Sequence, residues 1–319
     1  MQTILGAGGI IGKHLALELH QMQIPVRLVG RKPRKINDSD ELFTADLLEP
    51  TRVSEAVRGS EVAYLTAGLP YKTAIWQQQW PVVMRNVITA CKLHRCKLVF
   101  FDNVYLYGKV DGTMKEDLPA KPSSEKGKVR AQIAQMLMDE IKSGELEVLI
   151  VRSADFYGPE TPLSFINVMV FDNLIKNKRP QWMVSDKFKH SLTYTPDAGK
   201  ATAWLGNAAD AYGQVWHAPT ASNPLTGKEF MELGIREFHT RVEPQVVSRW
   251  MIRMIGLFVP VLKESVEMLY QFDRDYIFDS SKFNKRFPDF KTTSYENGVK
   301  EIFDDYRSKI EKELAASTR

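Results

Sequence analysis

The chain has 319 residues, 44% of them hydrophobic and 26% charged, which is enough to bury a large core and to support two domains. Lys and Arg number 43 against 39 for Asp and Glu, and a net charge of +4 over this length is too small to mark a nucleic-acid binder. Two cysteines, Cys91 and Cys96, exclude a disulfide framework and suit a reducing compartment.

From the N-terminus, "TILGAG" reads as a strand and "IIGKHLALELHQM" as a helix, with Ile11, Leu15, Leu19 and Met22 at helical spacing. Between them "GAGGIIG" places glycines at 6, 8, 9 and 12, followed by Ile10 and Ile11. A phosphate approaches the backbone only where no Cβ intrudes, and a helix N-terminus offers free N–H groups and the positive end of its dipole. The spacing is G-x-x-G-x-x-G, and in a strand–turn–helix setting it points to a dinucleotide site. A strand directly after Met1 leaves no room for a secretory leader, so a cytoplasmic location is expected.

"PVRLVG", "LFTADL" and "EVAYLTAG" follow as strands, with the helical "EPTRVSEAVRGS" before the last. "WPVVMRNVITACKLH" is a helix leading into the apolar strand "KLVFFDN". The "CKLHRC" between them matches no common zinc spacing, and no metal is expected. "GKVRAQIAQMLMDEIKSG" is a further helix, stopped by Gly144, and "LEVLIVRSADFYG" a further strand. Apolar strands alternating with helices make βαβ units, hence an α/β doubly wound parallel sheet of Rossmann type. The rhythm breaks after Gly158–Pro159. Residues 1–156, with a returning segment near 188–218, are therefore read as the sheet domain. Residues 157–187 and 219–319 are read as a smaller interleaved α+β domain that binds substrate. Its most apolar stretch, Trp250–Leu262, is too short to span a membrane and contains Arg253 and Pro260. It is read as a packed helix, with an apolar substrate wall or a membrane-surface contact as alternatives.

With the glycine loop and "NVYLYG" in hand, the chain resembles the extended short-chain dehydrogenases/reductases of the NAD(P)-dependent epimerase/dehydratase branch, over nearly its whole length. The resemblance implies that Asp46 and Leu47 of "ADLLEP" hold adenine. It implies that Thr66, Ala67 and Gly68 lie along the cofactor, and that Ser153 and Ala154 of "VRSADFYGP" reach nicotinamide. Such enzymes use a Tyr as acid/base, a Lys four residues on, and a Ser or Thr that polarises the reacting oxygen. Counting back from Tyr107 puts Asn103 in the Ser/Thr place. Its amide can donate to a carbonyl oxygen, or it can cap the strand exit. No tyrosine opens the helix near residue 126; Lys126 and Arg130 take the Tyr-x-x-x-Lys spacing, with Ser124 and Lys128 as a second register. A lysine beside an arginine in a desolvated pocket can serve as acid/base, whereas a "KGK" run is also what a solvated helix start looks like. Tyr105, Tyr107 and Tyr157 stand as replacement acids, and the substrate is expected near Asn103, Lys126, Asp155 and Tyr157.

An NAD site carries an acid at the end of the second strand, to take the ribose hydroxyls. Here that place is Gly30, followed by Arg31 and Lys32, which suits a 2′-phosphate; NADP is expected over NAD. Two readings follow: an NAD(P)-dependent epimerase/dehydratase-like or reductase enzyme with altered catalytic groups, or a non-catalytic dinucleotide-binding sensor or partner module. The enzyme reading implies a carbonyl or hydroxyl substrate. A nucleotide sugar would use cations such as Lys187, Lys189, Arg236, Arg241 and Arg249, whereas the apolar 250–262 stretch argues for an apolar one. The expected partner is a small molecule, with no nucleic acid and no stable membrane span, and the chain is expected as a monomer or homodimer.

Overall fold

A computed structural model describes residues 1–317. The first half alternates as the sequence pattern requires: β1 (Gln2–Leu5), α1 (Ile10–Gln21), β2 (Val26–Gly30), β3 (Glu41–Thr44), α2 (Pro50–Val57), β4 (Val62–Leu65), α3 (Thr73–His94), β5 (Lys97–Asn103) and α4 (Glu125–Ser143). The strands Val148–Ser153 and Gln214–His217 complete a seven-stranded sheet. Its order is Gln214–His217, Val148–Ser153, β5, β4, β1, β2, β3. Every neighbouring pair is parallel. The order reverses between β1 and β4, which opens a crevice at their C-terminal ends, where ligands of such sheets bind.

Alternation along the strands divides the core in two. Leu5, Leu65 and Phe100 face α2, α3 and α4, where Trp80, Met84, Val87, Ile133 and Leu137 cover them. Ile4, Tyr64, Val99 and Leu149 face α1 and the helix Thr195–Gly206, packed by Leu15, Leu19, Ala198 and Leu205. A third cluster, including Phe171, Trp182, Phe230, Leu269 and Tyr295, forms the core of the smaller part of the chain.

Four details differ from the sequence reading. Helix α3 begins at Thr73 rather than near Trp80 and carries Pro81 inside it; a proline removes one helical hydrogen bond but does not stop a helix whose Trp76, Trp80 and Val83 are all buried. "LEVLIVRSADFYG" is two strands, since Ala154 breaks it and Asp155–Tyr157 leaves the sheet to pair with Leu192–Tyr194. Phe283 and Phe290 pack into the α1 side of the sheet, so the chain returns to the large domain a second time inside the stretch assigned to the smaller one. Finally, Trp250–Leu262 is not one packed helix but two short ones, Arg249–Gly256 and Pro260–Ser265, with most of their apolar side chains exposed.

Candidate functional site

The glycine loop closes the crevice on the β1 side. Gly6 has φ of +96° and passes so close to β4's exit that a Cβ would stand 2.3 Å from Ala67 Cα, so only glycine fits. Farther round the loop the opposite holds. A Cβ on Gly8 would meet nothing within 4 Å, and one on Gly9 only the carbonyls of Gly6 and Thr66 at 3.7 and 3.9 Å. Gly9 is the N-cap of α1 and contributes no side-chain cap, so Ile10, Ile11 and Gly12 begin the helix with open N–H groups on that side. An open cradle at a helix N-terminus fits a pyrophosphate.

The other cofactor candidates line the same sheet edge. Gly30 ends β2 with no neighbour within 4 Å of where a Cβ would stand. Arg31 and Lys32 are exposed and form no ion pair among the described residues. Asp46 uses one oxygen to accept Leu48 N–H, and Leu47 C=O accepts the Asn86 amide, which fixes the turn after β3. Thr66 N–H donates to Leu5 C=O, Gly68 is exposed, Ser153 pairs with Asn103 across the sheet, and Ala154 N–H donates to Thr193 Oγ1.

At the expected catalytic positions, Asn103 Oδ1 accepts Tyr105 N–H at 3.0 Å, so the side chain caps the strand exit and leaves its NH₂ as a donor. On α4, Ser124 is the N-cap and Lys128 points into solvent beside Glu125, whereas Lys126 and Arg130 turn inward. Lys126 is fully enclosed. Its Nζ donates to Glu264 Oε2 at 2.6 Å, Glu267 Oε1 at 3.0 Å, Thr73 Oγ1 at 2.8 Å and Glu264 C=O at 3.0 Å, and it stands 4.5 Å from the centre of the Tyr71 ring. The two glutamates also cap helices: Glu264 accepts Thr73 N–H at the start of α3, and Glu267 accepts Glu125 N–H at the start of α4. Carboxylates there meet the positive ends of both dipoles. Burial pushes the Glu264 carboxyl up, but its hydrogen bonds from Lys126 and Thr73 outweigh that and bring it down to about 2. The sequence reading missed both glutamates. Their only local signal is an acidic pair three residues apart, directly after an apolar stretch.

Arg130 lies over Trp80 and Trp76, at 4.3 and 4.9 Å, with Nη1 3.5 Å from Asp102. Arg152 approaches the same carboxylate at 3.5 Å from the other side. Burial pushes the Asp102 carboxyl up and the Arg130 guanidinium down, each against the pull of the opposite charge. From Arg152 a buried chain of hydrogen bonds runs to Tyr107 Oη (2.8 Å), on to His217 Nε2 (3.0 Å), and from His217 Nδ1 to Asp279 C=O (2.7 Å). Burial holds the His217 imidazole down at about 3, so it carries one proton. The carbonyl acceptor fixes that proton on Nδ1, and Nε2 therefore accepts from Tyr107.

None of the three replacement tyrosines is tuned as an acid at neutral pH. Burial pushes the phenols of Tyr105, Tyr107 and Tyr157 up. Tyr157 is a core residue of the smaller cluster, with its hydroxyl unpartnered. Asp155 stands on the strand that leaves the sheet. Its carboxylate meets His190 Nε2 at 2.9 Å, and that imidazole is stacked between Phe272 and Tyr276. Of the cations considered for a diphosphate, Lys187, Lys189, Arg236 and Arg241 are exposed and Arg249 is bound to Asp273.

The chain's relatives agree with this architecture. No curated protein sequence matches it. Solved structures similar in fold include the UDP-glucose 4-epimerase of Thermus thermophilus in complex with NAD, at 15% identity and TM-score 0.77, covering 96% of this chain and 99% of that one. The UDP-glucuronic acid 4-epimerase of Bacillus cereus in complex with NAD is 18% identical, with TM-score 0.77 and coverage of 97% and 99%. The dTDP-glucose 4,6-dehydratase of Streptomyces venezuelae is 16% identical, with TM-score 0.79 and coverage of 97% of each chain. At such identities the likeness is one of fold. The sequence itself matches the NAD dependent epimerase/dehydratase family over residues 3–213, two thirds of its length, and the chain belongs to that family.

Proposed function

We propose that this protein is an NADP(H)-dependent epimerase/dehydratase or reductase acting on a carbonyl or hydroxyl group, with a nucleotide sugar as the substrate class suggested by the activities of its structural neighbours. The observation that carries the cofactor half is the end of β2. Gly30 supplies no carboxylate for ribose hydroxyls, and the exposed, unpaired Arg31 and Lys32 follow at once. The NAD in the neighbouring structures weighs against the choice of NADP(H), and the charge at residues 30–32 weighs for it. The glycine loop and α1 N-terminus would hold the pyrophosphate, Asp46 and Leu47 the adenine, Thr66–Gly68 the middle of the molecule, and Ser153 and Ala154 the nicotinamide end.

When bound, the nicotinamide supplies the hydride acceptor or donor. The chain's own contribution is polar. The Asn103 NH₂ is available to donate to a reacting oxygen, and Lys126, with Arg130 one turn on, holds the proton-transfer position only while Glu264 and Glu267 are withdrawn from it.

The enclosure of Lys126 favours a second reading, in which the dinucleotide is bound without turnover and Lys126 is a structural tether. Calorimetric titration tests the cofactor assignment. NADPH should bind at least tenfold more tightly than NADH, ~1.4 kcal/mol, and Gly30→Asp should reverse that order, since a Cβ there meets no protein atom within 4 Å. Equal affinities in the unmodified protein would sink the assignment. Hydride transfer with a nucleotide-sugar and carbonyl panel then separates enzyme from binder.

A further inference from the structure

Residues 249–263 read "RWMIRMIGLFVPVLK": three cations, no carboxylate, and apolar side chains almost throughout. They fold as two short helices, Arg249–Gly256 and Pro260–Ser265, that meet at Gly256, where a Cβ would stand 3.1 Å from Lys263 N. Ile252, at 2% exposure, and the Arg249–Asp273 ion pair at 2.6 Å anchor the first helix, while the buried Ser265 and Glu264, bound to Lys126 and Thr73, anchor the end of the second. Apart from the half-buried Leu262, the other apolar side chains face outward. Phe258 is 83% exposed, Leu257 69% and Trp250 68%, with Met254, Ile255 and Val261 between 41% and 48%. Scattered apolar residues on a surface need no explanation, but a run of exposed apolar side chains on two adjoining short helices marks a docking surface.

Charge decides between occupants. Arg253 and Lys263 flank the apolar tip, are exposed, and form no ion pair among the described residues. The nearest acids in sequence, Glu264 and Glu267, are turned inward onto Lys126. The outward face is therefore apolar and cationic without a balancing carboxylate. A second copy fits it badly: a two-fold contact sets the same patch against itself, so Arg253 and Lys263 would meet cations and no acid. Helices this short do not cross a bilayer, and no helix of the described residues is long and apolar enough to do so. An exposed Trp and Phe with cations beside them instead suit the boundary between headgroups and acyl chains.

We propose that the 249–263 hairpin docks the protein on an anionic lipid surface, inserting Leu257 and Phe258 while Arg253 and Lys263 meet lipid phosphates. The docking is peripheral and independent of what the crevice binds. The test is flotation of the full chain with vesicles of phosphatidylcholine alone or with about 30% phosphatidylglycerol. The protein should partition onto the anionic vesicles at least tenfold more than onto the neutral ones, and raised salt should weaken it. Leu257→Asp with Phe258→Asp should reduce binding at least tenfold at an unchanged melting temperature, because both side chains are exposed. Arg253→Glu with Lys263→Glu should reduce it through charge alone. No vesicle binding, equal binding to neutral vesicles, or binding that survives both pairs of substitutions overturns the proposal. So does a dimer that the aspartate pair dissolves, which would assign the face to a second copy.

Discussion

Replacing Lys126 with methionine removes one cation that two carboxylates, a hydroxyl and a carbonyl all use. Met has nearly the length of the lysine stem and leaves the enclosed volume filled, so the loss is of charge rather than packing. Taking one partner from a buried ion pair costs about 3–5 kcal/mol. Glu264 and Glu267 keep 26% and 23% of their side-chain surface in solvent, so water can recover part of that. We expect a loss of about 2–3 kcal/mol, or roughly 5 °C in Tm for a chain of this size. The pH dependence identifies the cause. The Glu264 carboxyl moves from 4.5 to about 2 in the folded protein, so its stabilisation is fully present above 4.5 and is lost as pH falls through 2. The wild-type advantage over Lys126→Met should therefore be flat from pH 5 to 7 and shrink by about 1–2 kcal/mol below pH 4, once solvent screening is allowed for. Urea denaturation over that range measures it, with Lys126→Met/Glu264→Gln/Glu267→Gln recovering most of the loss. A loss under about 0.5 kcal/mol that does not change with pH would refute the tether.

Gly9→Val should abolish dinucleotide binding without unfolding the protein. The glycine has an ordinary φ of −91°, and a Cβ there meets only the Gly6 and Thr66 carbonyls at ordinary contact distances of 3.7 and 3.9 Å, so the two methyls chiefly trouble a ligand; unchanged calorimetric affinity would remove the pyrophosphate site from this loop. Tyr107→Phe leaves His217 Nε2 and Arg152 Nη1 without their shared partner, and should cost about 1–3 kcal/mol by chemical denaturation. Because His217 is held at about 3 against an ordinary 6.5, wild-type stability should fall as pH drops from 6.5 toward 3, and His217→Gln should flatten that slope.

Six of the seven sheet strands were legible as short apolar runs bounded by turn residues, and "GAGGIIG" announced the crevice from sequence alone; the seventh, Gln214–His217, reads "QVWH" and is too polar at its ends to stand out as a strand. Lys126 was half legible. Its place on α4 followed from helical spacing, but whether "KGK" faced water could not be read locally. Lys126 and Lys128 lie two residues apart, on different sides of the helix, and only one is exposed. What encloses Lys126 comes from 138 and 141 residues away, and ion pairing at such separation leaves no pattern in either segment. Hydrophobicity misled at 250–262 for a related reason. A run of apolar side chains states that something must cover them, and a packed core is only one cover. At α3 the difference is local: the sequence reading begins the helix at Trp80, whereas the burial of Trp76 and Trp80 carries it back to Thr73, through Pro81.

The two halves of the site depend on different parts of the fold. The glycine loop, Gly30 and Arg31 sit on turns after β1 and β2, and their geometry follows from the parallel sheet and the α1 N-terminus. In the proposed register Lys126 takes the place of the missing tyrosine, and its partners come from α3 and from residues 264–267. Dinucleotide binding therefore requires nothing of the 260–272 segment, whereas proton transfer by Lys126 requires that segment to give up hydrogen bonds to Thr73, Glu125 and Lys126 together. At roughly 1.5–3 kcal/mol for each hydrogen bond to a charged group, partly regained from water, withdrawal would leave the active form a minor population unless a bound substrate compensated. An anionic substrate is the natural compensator, because it can take the lysine from Glu264 and Glu267 and return a counter-charge to it. The second helix of the outward-facing hairpin carries Glu264 itself.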